Sequence, residues 1–291
     1  MVADSLPGRL ALVVHPTRPV DGPLTALRRW AAEHGIDLVQ LVVPGEPHRE
    51  MAPAATLADG DLVVALGGDG TVLAALRAAA EREAPVLGVA CGSLGALSAV
   101  TAGELDDALA RIHADDWTRR SLPALAIRTA SAPDDWAAND FVVVRRGAGQ
   151  LVAEVAVDGE RYVRLAGDGV VVATPLGSSA YSMAAGGPVL AADTDVFVCT
   201  PLAMHGGSGP SLVVPAAATL TVEVSPGYAG FDVEVDGQRR ALEDRRFEFV
   251  LHPAKLTLVT FGAAGRGLTG LRRRGLIADS PRVLARDARE R

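Results

Sequence analysis

The chain has 291 residues, 49% of them hydrophobic and 22% charged, with a formal net charge of −7. That is long enough for two domains with a sizeable core, and it excludes wholesale disorder and the chain-wide basic footprint of a nucleic-acid binder. Lys255 is the only lysine, so a Walker-type Gly-Lys-Ser/Thr phosphate loop is absent and Schiff-base chemistry is nearly excluded.

In chain order, Leu10 to Val14 reads as a short buried strand closed by His15-Pro16 and a turn around Pro19 to Pro23. Leucines, alanines and Trp30 then recur at helical spacing from Leu24 to His34, with Gly35 as the stop. Asp37 to Val43 is the next strand, followed by a Pro/Gly/Glu loop over Pro44 to Pro53. The apolar run Leu62 to Leu66 ends in Gly67-Gly68-Asp69-Gly70-Thr71 and opens an Ala/Leu-rich helix. Ala84 to Ala90 is another buried strand, leading to Cys91-Gly92-Ser93-Leu94-Gly95, and a helix with an acidic first turn runs to about His113. This alternation predicts a doubly wound parallel sheet over residues 1–118.

After Trp117 the texture changes to short strand-like runs: Leu122 to Thr129, Asp140 to Arg145, Leu151 to Val157, Arg161 to Leu165 and Gly169 to Thr174. Later runs are Val196 to Cys199, Leu212 to Val214, Leu220 to Val224, Phe231 to Val235, Phe247 to Leu251 and Leu256 to Phe261. Asp158-Gly159 and Asp236-Gly237 are hairpin signals. The prediction is a β-rich, sandwich-like domain over residues 119–262, interrupted by a small-residue helical stretch, Ser178 to Ala185. The tail, residues 263–291, carries Arg272-Arg273-Arg274 and is expected to be partly helical and to pack back on the first domain.

Cys91 and Cys199 lie far apart in apolar surroundings and read as buried thiols, without a C-x-x-C pattern. The N-terminus lacks the features of a signal peptide, and no run of 18 apolar residues marks a membrane span. The expectation is a protein of a reducing, cytoplasmic compartment, with no nucleic-acid or membrane partner and no metal ligand set among its six scattered histidines.

Two glycine-rich stretches carry the chemistry. A strand, a glycine turn and a helix point backbone N–H groups and the positive helix end at a phosphate. Asp69 places a carboxylate there, which suits phosphoryl transfer if a cation or reacting hydroxyl intervenes; the other reading is a βα turn with Asp69 as helix N-cap. The second stretch begins at Gly167-Asp168 and continues through Thr174-Pro175-Leu176-Gly177-Ser178-Ser179-Ala180-Tyr181 to Ala185-Gly186-Gly187-Pro188. It presents hydroxyls and a ring able to stack on a base, though each hydroxyl alone is more often a helix cap than a ligand contact. Asn139-Asp140 adds an amide and a carboxylate that suit ribose or adenine, or else a turn. No Gly-x-Ser-x-Gly is present, which disfavours a serine hydrolase.

Together these segments resemble the NAD kinase family, which phosphorylates the 2′-hydroxyl of NAD's adenosine ribose. The likeness covers most of residues 8–262, including Pro85 to Val89, Gly92-x-Leu94-Gly95 and the His205 segment from Pro201 to Pro215. The first motif is shared with diacylglycerol- and sphingosine-type lipid kinases; the Thr174 to Tyr181 stretch is far more specific. The resemblance implies Asp69 as catalytic base or orienting group on the acceptor hydroxyl. It implies Gly68, Gly70, Thr71 and Leu73 around the nucleotide and its phosphates, and Asn139 and Asp140 at the adenosine end of NAD. Ser179, Ala180 and Tyr181 would line the adenine and nicotinamide pockets, with Asp168 on the nicotinamide side. Substrates would be ATP, with Mg2+ carried on its phosphates, and NAD(H), in a homodimer or homotetramer. This chain departs from the family with Ala90 for Asn, Ala96 for Phe, Leu176 for Thr or Ser, Asp140 for the usual Glu and Pro210-Ser211 for Arg-Pro. Those changes lie largely on the acceptor side, so a kinase of the same fold acting on another nucleotide, nucleoside or lipid stays open beside NAD kinase. A non-catalytic dinucleotide sensor does too.

Overall fold

The computed structural model describes residues 6–43, 49–191, 194–262, 271–272 and 275–288. Half of the Pro44 to Pro53 loop and part of the arginine-rich tail, Arg273 and Arg274 included, lie outside the described residues. Two compact units emerge, one taking the chain up to Arg120 and again from Leu258, the other Ser121–Thr257.

The first unit is built on a parallel sheet. Strand β1 (Arg9–Val14) is followed by helix α1 (Asp21–His34) and β2 (Asp37–Gln40), then β3 (Asp61–Gly67), α2 (Asp69–Ala79), β4 (Val86–Ala90), the two-residue β5 (Val100–Thr101) and α3 (Leu105–His113). The order across the sheet is β2-β1-β3-β4 with every pair parallel, and β5 beside β4. The chain therefore steps from β1 outward to β2 and returns on the other side as β3. That reversal makes the carboxyl ends of β1 and β3 the topological switch point, the place where open α/β sheets bind ligands.

Helix α1 starts three residues before the predicted Leu24 and takes Pro23 into its first turn, where a missing N–H is not needed. Gly35 at φ 66° and the Ile36 N–H returning to the Ala31 carbonyl at 2.9 Å close it. Leu24, Leu27 and Trp30 bury against Leu10, Leu12, Leu62, Val64 and Leu66, together with Leu105, Leu109 and Ile112 of α3. Helix α2 packs on β1, β3 and β4. Gly88 lets it approach: a Cβ there would lie 2.6 Å from the Leu97 carbonyl oxygen and 3.0 Å from Val72 Cγ2.

The second unit is two antiparallel sheets. Following β6 (Thr118–Arg128) and β7 (Asp135–Ala137) come β8 (Asp140–Arg145), β9 (Leu151–Val157), β10 (Glu160–Gly167), β11 (Gly169–Ala173), the short helix α4 (Tyr181–Ala184), β12 (Val196–Leu202), β13 (Leu212–Pro215), β14 (Leu220–Ser225), β15 (Phe231–Val235), β16 (Gln238–Arg240) and β17 (Arg246–Thr260). Within it β10-β9-β14-β17 form one sheet and β13-β12-β11-β8-β15-β16 the other. Their facing residues, among them Phe141, Val143, Val170, Val172 and Phe197 against Val155, Leu220, Val222, Phe247 and Phe249, share one core, as in a sandwich. The outer face of the six-stranded sheet is also apolar: Val142, Val171, Ala173 and Val198 pack with Ala185 and Leu190. Both Asp-Gly pairs are two-residue hairpin turns with φ > 0 at each position (Asp158 50°, Gly159 83°; Asp236 51°, Gly237 75°), the type I′ geometry that matches strand twist.

Two expectations are corrected. Phe247 to Leu251 and Leu256 to Phe261 are one continuous strand of 15 residues; Pro253 and the exposed His252–Lys255 stretch interrupt its alternation without ending it. Cys199 is buried, burial pushing its thiol pKa up to about 12, whereas Cys91 is only half-buried. Beyond the sandwich, Pro281–Asp287 forms a helix with no buried residue. Among the described residues no helix is long and apolar enough to cross a membrane.

Candidate functional site

At the carboxyl end of β3 the chain passes through Gly67 and Gly68 into α2, whose first residue is Asp69 and whose N-cap is Gly68, with no side-chain cap. The N-cap reading of Asp69 is thus set aside. Its carboxylate turns to the next loop, accepting the Ala96 N–H on Oδ2 at 2.8 Å and the Leu97 N–H on Oδ1 at 3.0 Å. Each oxygen keeps a further lone pair for a hydroxyl. Gly95 makes the seat: a Cβ there would stand 2.0 Å from Oδ1. At Gly67 a Cβ would lie 2.2 Å from Thr71 Oγ1, so glycine is what lets the buried Thr71 fold back over the turn. A Cβ on Gly70 meets nothing within 4 Å, while Leu73 is buried on the next turn of α2. Ala96 keeps what this position supplies to Asp69, a backbone N–H, although the aromatic ring common in the resembled family is gone. The Cys91 N–H binds the Gly67 carbonyl at 2.9 Å, tying the β3 and β4 turns together.

In the second unit a different set of predicted residues converges. Asp236, read from the sequence only as a turn residue, accepts the N–H groups of Ala138 (3.0 Å), Asn139 (2.7 Å) and Asp140 (3.3 Å). Thr174, fully buried, donates to the Ala138 carbonyl at 2.6 Å and accepts the Gly177 N–H at 3.1 Å. Gly177 sits so close that a Cβ would be 2.0 Å from the Asn139 carbonyl oxygen. The Thr174-Pro175-Leu176-Gly177 turn is therefore moulded directly onto the Asn139 backbone, while the Asn139 side-chain amide makes no hydrogen bond among the described residues.

The hydroxyls of that stretch serve mainly the fold. Ser178 donates to the Pro175 carbonyl and accepts the Leu190 N–H; Ser179 donates to the Leu176 carbonyl at 3.2 Å. Ala180 is exposed, and the Tyr181 ring is 43% exposed, which leaves it open for stacking. The Asp168 carboxylate is paired with Arg145 at 2.5 Å, so a ligand on that side would share it with a guanidinium.

Asp140 is the electrostatic outlier. Burial raises its carboxyl pKa from 3.8 to about 7, and the neighbouring charges of Asp236 and Glu234 add to the rise. A carboxyl whose folded pKa exceeds its unfolded value supports the fold fully below pH 4 and loses that support as pH climbs to about 7. Roughly three pKa units correspond to an upper value of about 4 kcal/mol. Asp140→Asn, a permanently neutral isostere, should therefore gain stability over the parent between pH 4.5 and pH 8. Denaturant titrations at both pH values measure this, and a difference independent of pH would remove the buried-carboxyl account.

Three contributors were not foreseen. Asp236 and Arg145 act through partners 96 and 23 positions away in sequence. Gly95 belongs to the Gly92-x-Leu94-Gly95 motif, and its approach to Asp69 has no local signature.

A family model described as the ATP-NAD kinase N-terminal domain matches residues 41–117, and one described as the ATP-NAD kinase C-terminal domain matches residues 138–250. An NAD kinase from Koribacter versatilis is 35% identical, the match covering 79% of this chain and 84% of that protein. NAD kinase 1 of Streptomyces avermitilis is 32% identical over 95% of this chain and 89% of its own length. Among solved structures, yeast NADH kinase complexed with NADH superposes with a TM-score of 0.75 at 20% identity, over 94% of this chain and 89% of that one. An Archaeoglobus fulgidus NAD kinase in complex with ATP gives 0.72 at 22%, over 92% and 100%. At those identities the structures speak to the fold.

Proposed function

Because this chain belongs to the NAD kinase family, we propose that it transfers the terminal phosphoryl group of ATP to the 2′-hydroxyl of the NAD adenosine ribose, giving NADP and ADP. The observation that carries the reading is Asp69: a carboxylate at the head of a helix, at the switch point of a parallel sheet, held by two N–H groups with lone pairs to spare. In phosphoryl transfer the protein supplies positioning and charge rather than covalent chemistry. The 2′-oxygen forms its bond to the γ-phosphorus as the bond to the bridging oxygen of ADP breaks. The hydroxyl proton passes to Asp69 and from there to water. Gly68, Gly70 and Thr71 are assigned to the phosphates. Asn139 and Asp140 are assigned to the adenosine, and Ser179, Ala180 and Tyr181 to the base and nicotinamide pockets, with Asp168 beside the nicotinamide.

Among the described residues no cluster of three or more His, Cys, Asp or Glu side chains is arranged to hold a metal ion. In this reading Mg2+ would arrive on ATP and stay on phosphate oxygens, where it would offset phosphate charge. A homodimer or homotetramer and a cytoplasmic setting go with the family resemblance, and light scattering measures the first.

Incubation with Mg-ATP and, in turn, NAD, NADH, adenosine nucleotides and a diacylglycerol, with ADP release followed, tests the reading. ADP appearing with NAD supports it. ADP appearing with another acceptor alone would transfer the assignment to that acceptor, in line with the family departures at Ala90, Ala96, Leu176 and Pro210, and binding without turnover would make the protein a dinucleotide sensor.

A further inference from the structure

The switch point in the first unit has a second wall. Leaving β1, the chain turns through His15-Pro16-Thr17 and sets Arg18 against both glycine turns of the candidate site. A Cβ on Gly68 would lie 3.3 Å from Arg18 Nη1, and one on Gly92 would lie 2.8 Å from the same atom. The backbone of Arg18 is fixed from two sides. Its N–H donates to His15 Nδ1 at 3.1 Å, and its carbonyl accepts from Arg49 Nη2 at 2.7 Å. Its guanidinium makes no hydrogen bond or ion pair among the described residues.

A second arginine adjoins the first. Arg49 Nε is buried without a partner among the described residues. The His15 pKa is lowered, first by burial and then by Arg18 and Arg49. The Arg18 guanidinium beside the two glycine turns, with Arg49 bonded to the Arg18 carbonyl, makes a positive wall suited to an anion. A guanidinium also offers a planar fork suited to phosphate oxygens. With Lys255 the chain's sole lysine, a loop lysine cannot take that part.

Resting on the kinase reading above, we propose that Arg18 is the cation that grips the nucleotide phosphates at the Gly67–Thr71 turn, with Arg49 as the positioning residue that holds the Arg18 backbone. A guanidinium whose backbone is held beside two glycine turns, and whose own donors are uncommitted among the described residues, is available to an incoming phosphate chain. The chemistry it recognises is a phosphate chain, present both in the ATP triphosphate and in the NAD pyrophosphate.

The test compares the full chain with Arg18→Ala, Arg18→Gln and Arg18→Lys. KM is measured for Mg-ATP at saturating NAD and for NAD at saturating Mg-ATP, with inorganic tripolyphosphate as inhibitor. Removing the guanidinium should raise one KM and the tripolyphosphate Ki together by about tenfold or more, with partial recovery in Arg18→Lys. The KM that moves identifies which phosphate chain is held. KM and Ki values within about twofold of the parent in both neutral variants, or a loss of kcat alone that lysine does not recover, would overturn the proposal. Should the parent show no turnover with NAD, the kinase reading fails separately. Calorimetric titration of ATP and tripolyphosphate into the parent and Arg18→Ala then still decides Arg18, with equal affinity, or none in the parent, counting against it.

Discussion

Asp69→Asn lowers turnover with NAD and Mg-ATP by about 10²-fold or more, the scale of a lost acid–base group, while the KM for Mg-ATP changes little. The carboxylate accepts one N–H on each oxygen, from Ala96 and Leu97. A carboxamide has one acceptor oxygen, so its NH2 must face one of those N–H groups and a single latch bond remains. On the proposed role the variant loses two things at once, the capacity to take the hydroxyl proton and half of the tie between the α2 head and the Gly92–Leu97 loop. Steady-state kinetics reads the first. Faster amide exchange at Ala96 or Leu97 reads the second, and near-normal turnover would take Asp69 out of the mechanism.

Gly95→Ala should cost nearly as much without touching a reacting group. Its methyl would stand 2.0 Å from Asp69 Oδ1 and 2.5 Å from Cγ, a separation that carbon and oxygen do not tolerate. The carboxylate must retreat by about 1 Å or the loop must lift, and a displacement of that size in a catalytic group costs on the order of 10²-fold in rate. Both routes break the bonds to Ala96 and Leu97. Because Gly95→Ala and Asp69→Asn act on the same carboxylate, their effects on kcat should be far from additive in the double variant. Additive losses, or a kcat for Gly95→Ala equal to the parent's, would show that the loop does not position Asp69.

Much of the frame was legible from local pattern. The apolar runs of β1, β3 and β4 with helices between them announced a parallel sheet, and Asp158-Gly159 and Asp236-Gly237 announced hairpins, because strand period and type I′ turns depend on residues that are neighbours in sequence. The motif stretches likewise marked where the glycine turns fall. The long β17 strand was harder. Its exposed middle breaks the alternation on which a strand reading rests, and the pairing of Leu220 with Phe249 and of Leu258 with Val86 keeps it continuous.

By itself the amino-acid order determined the fold class, the family resemblance and the short list headed by Asp69, since periodicity and motif spacing survive without knowledge of contacts. Only the tertiary structure decided what each side chain does. It placed the Asp69 carboxylate on amides 27 and 28 positions away rather than on its own helix, made Asp236 the clamp on Asn139 and set Arg18 over Gly68 and Gly92. It also raised the Asp140 carboxyl to about 7. Hydrogen-bond partners, burial and charge are sums over neighbours in space, and those neighbours come together only when distant strands pair.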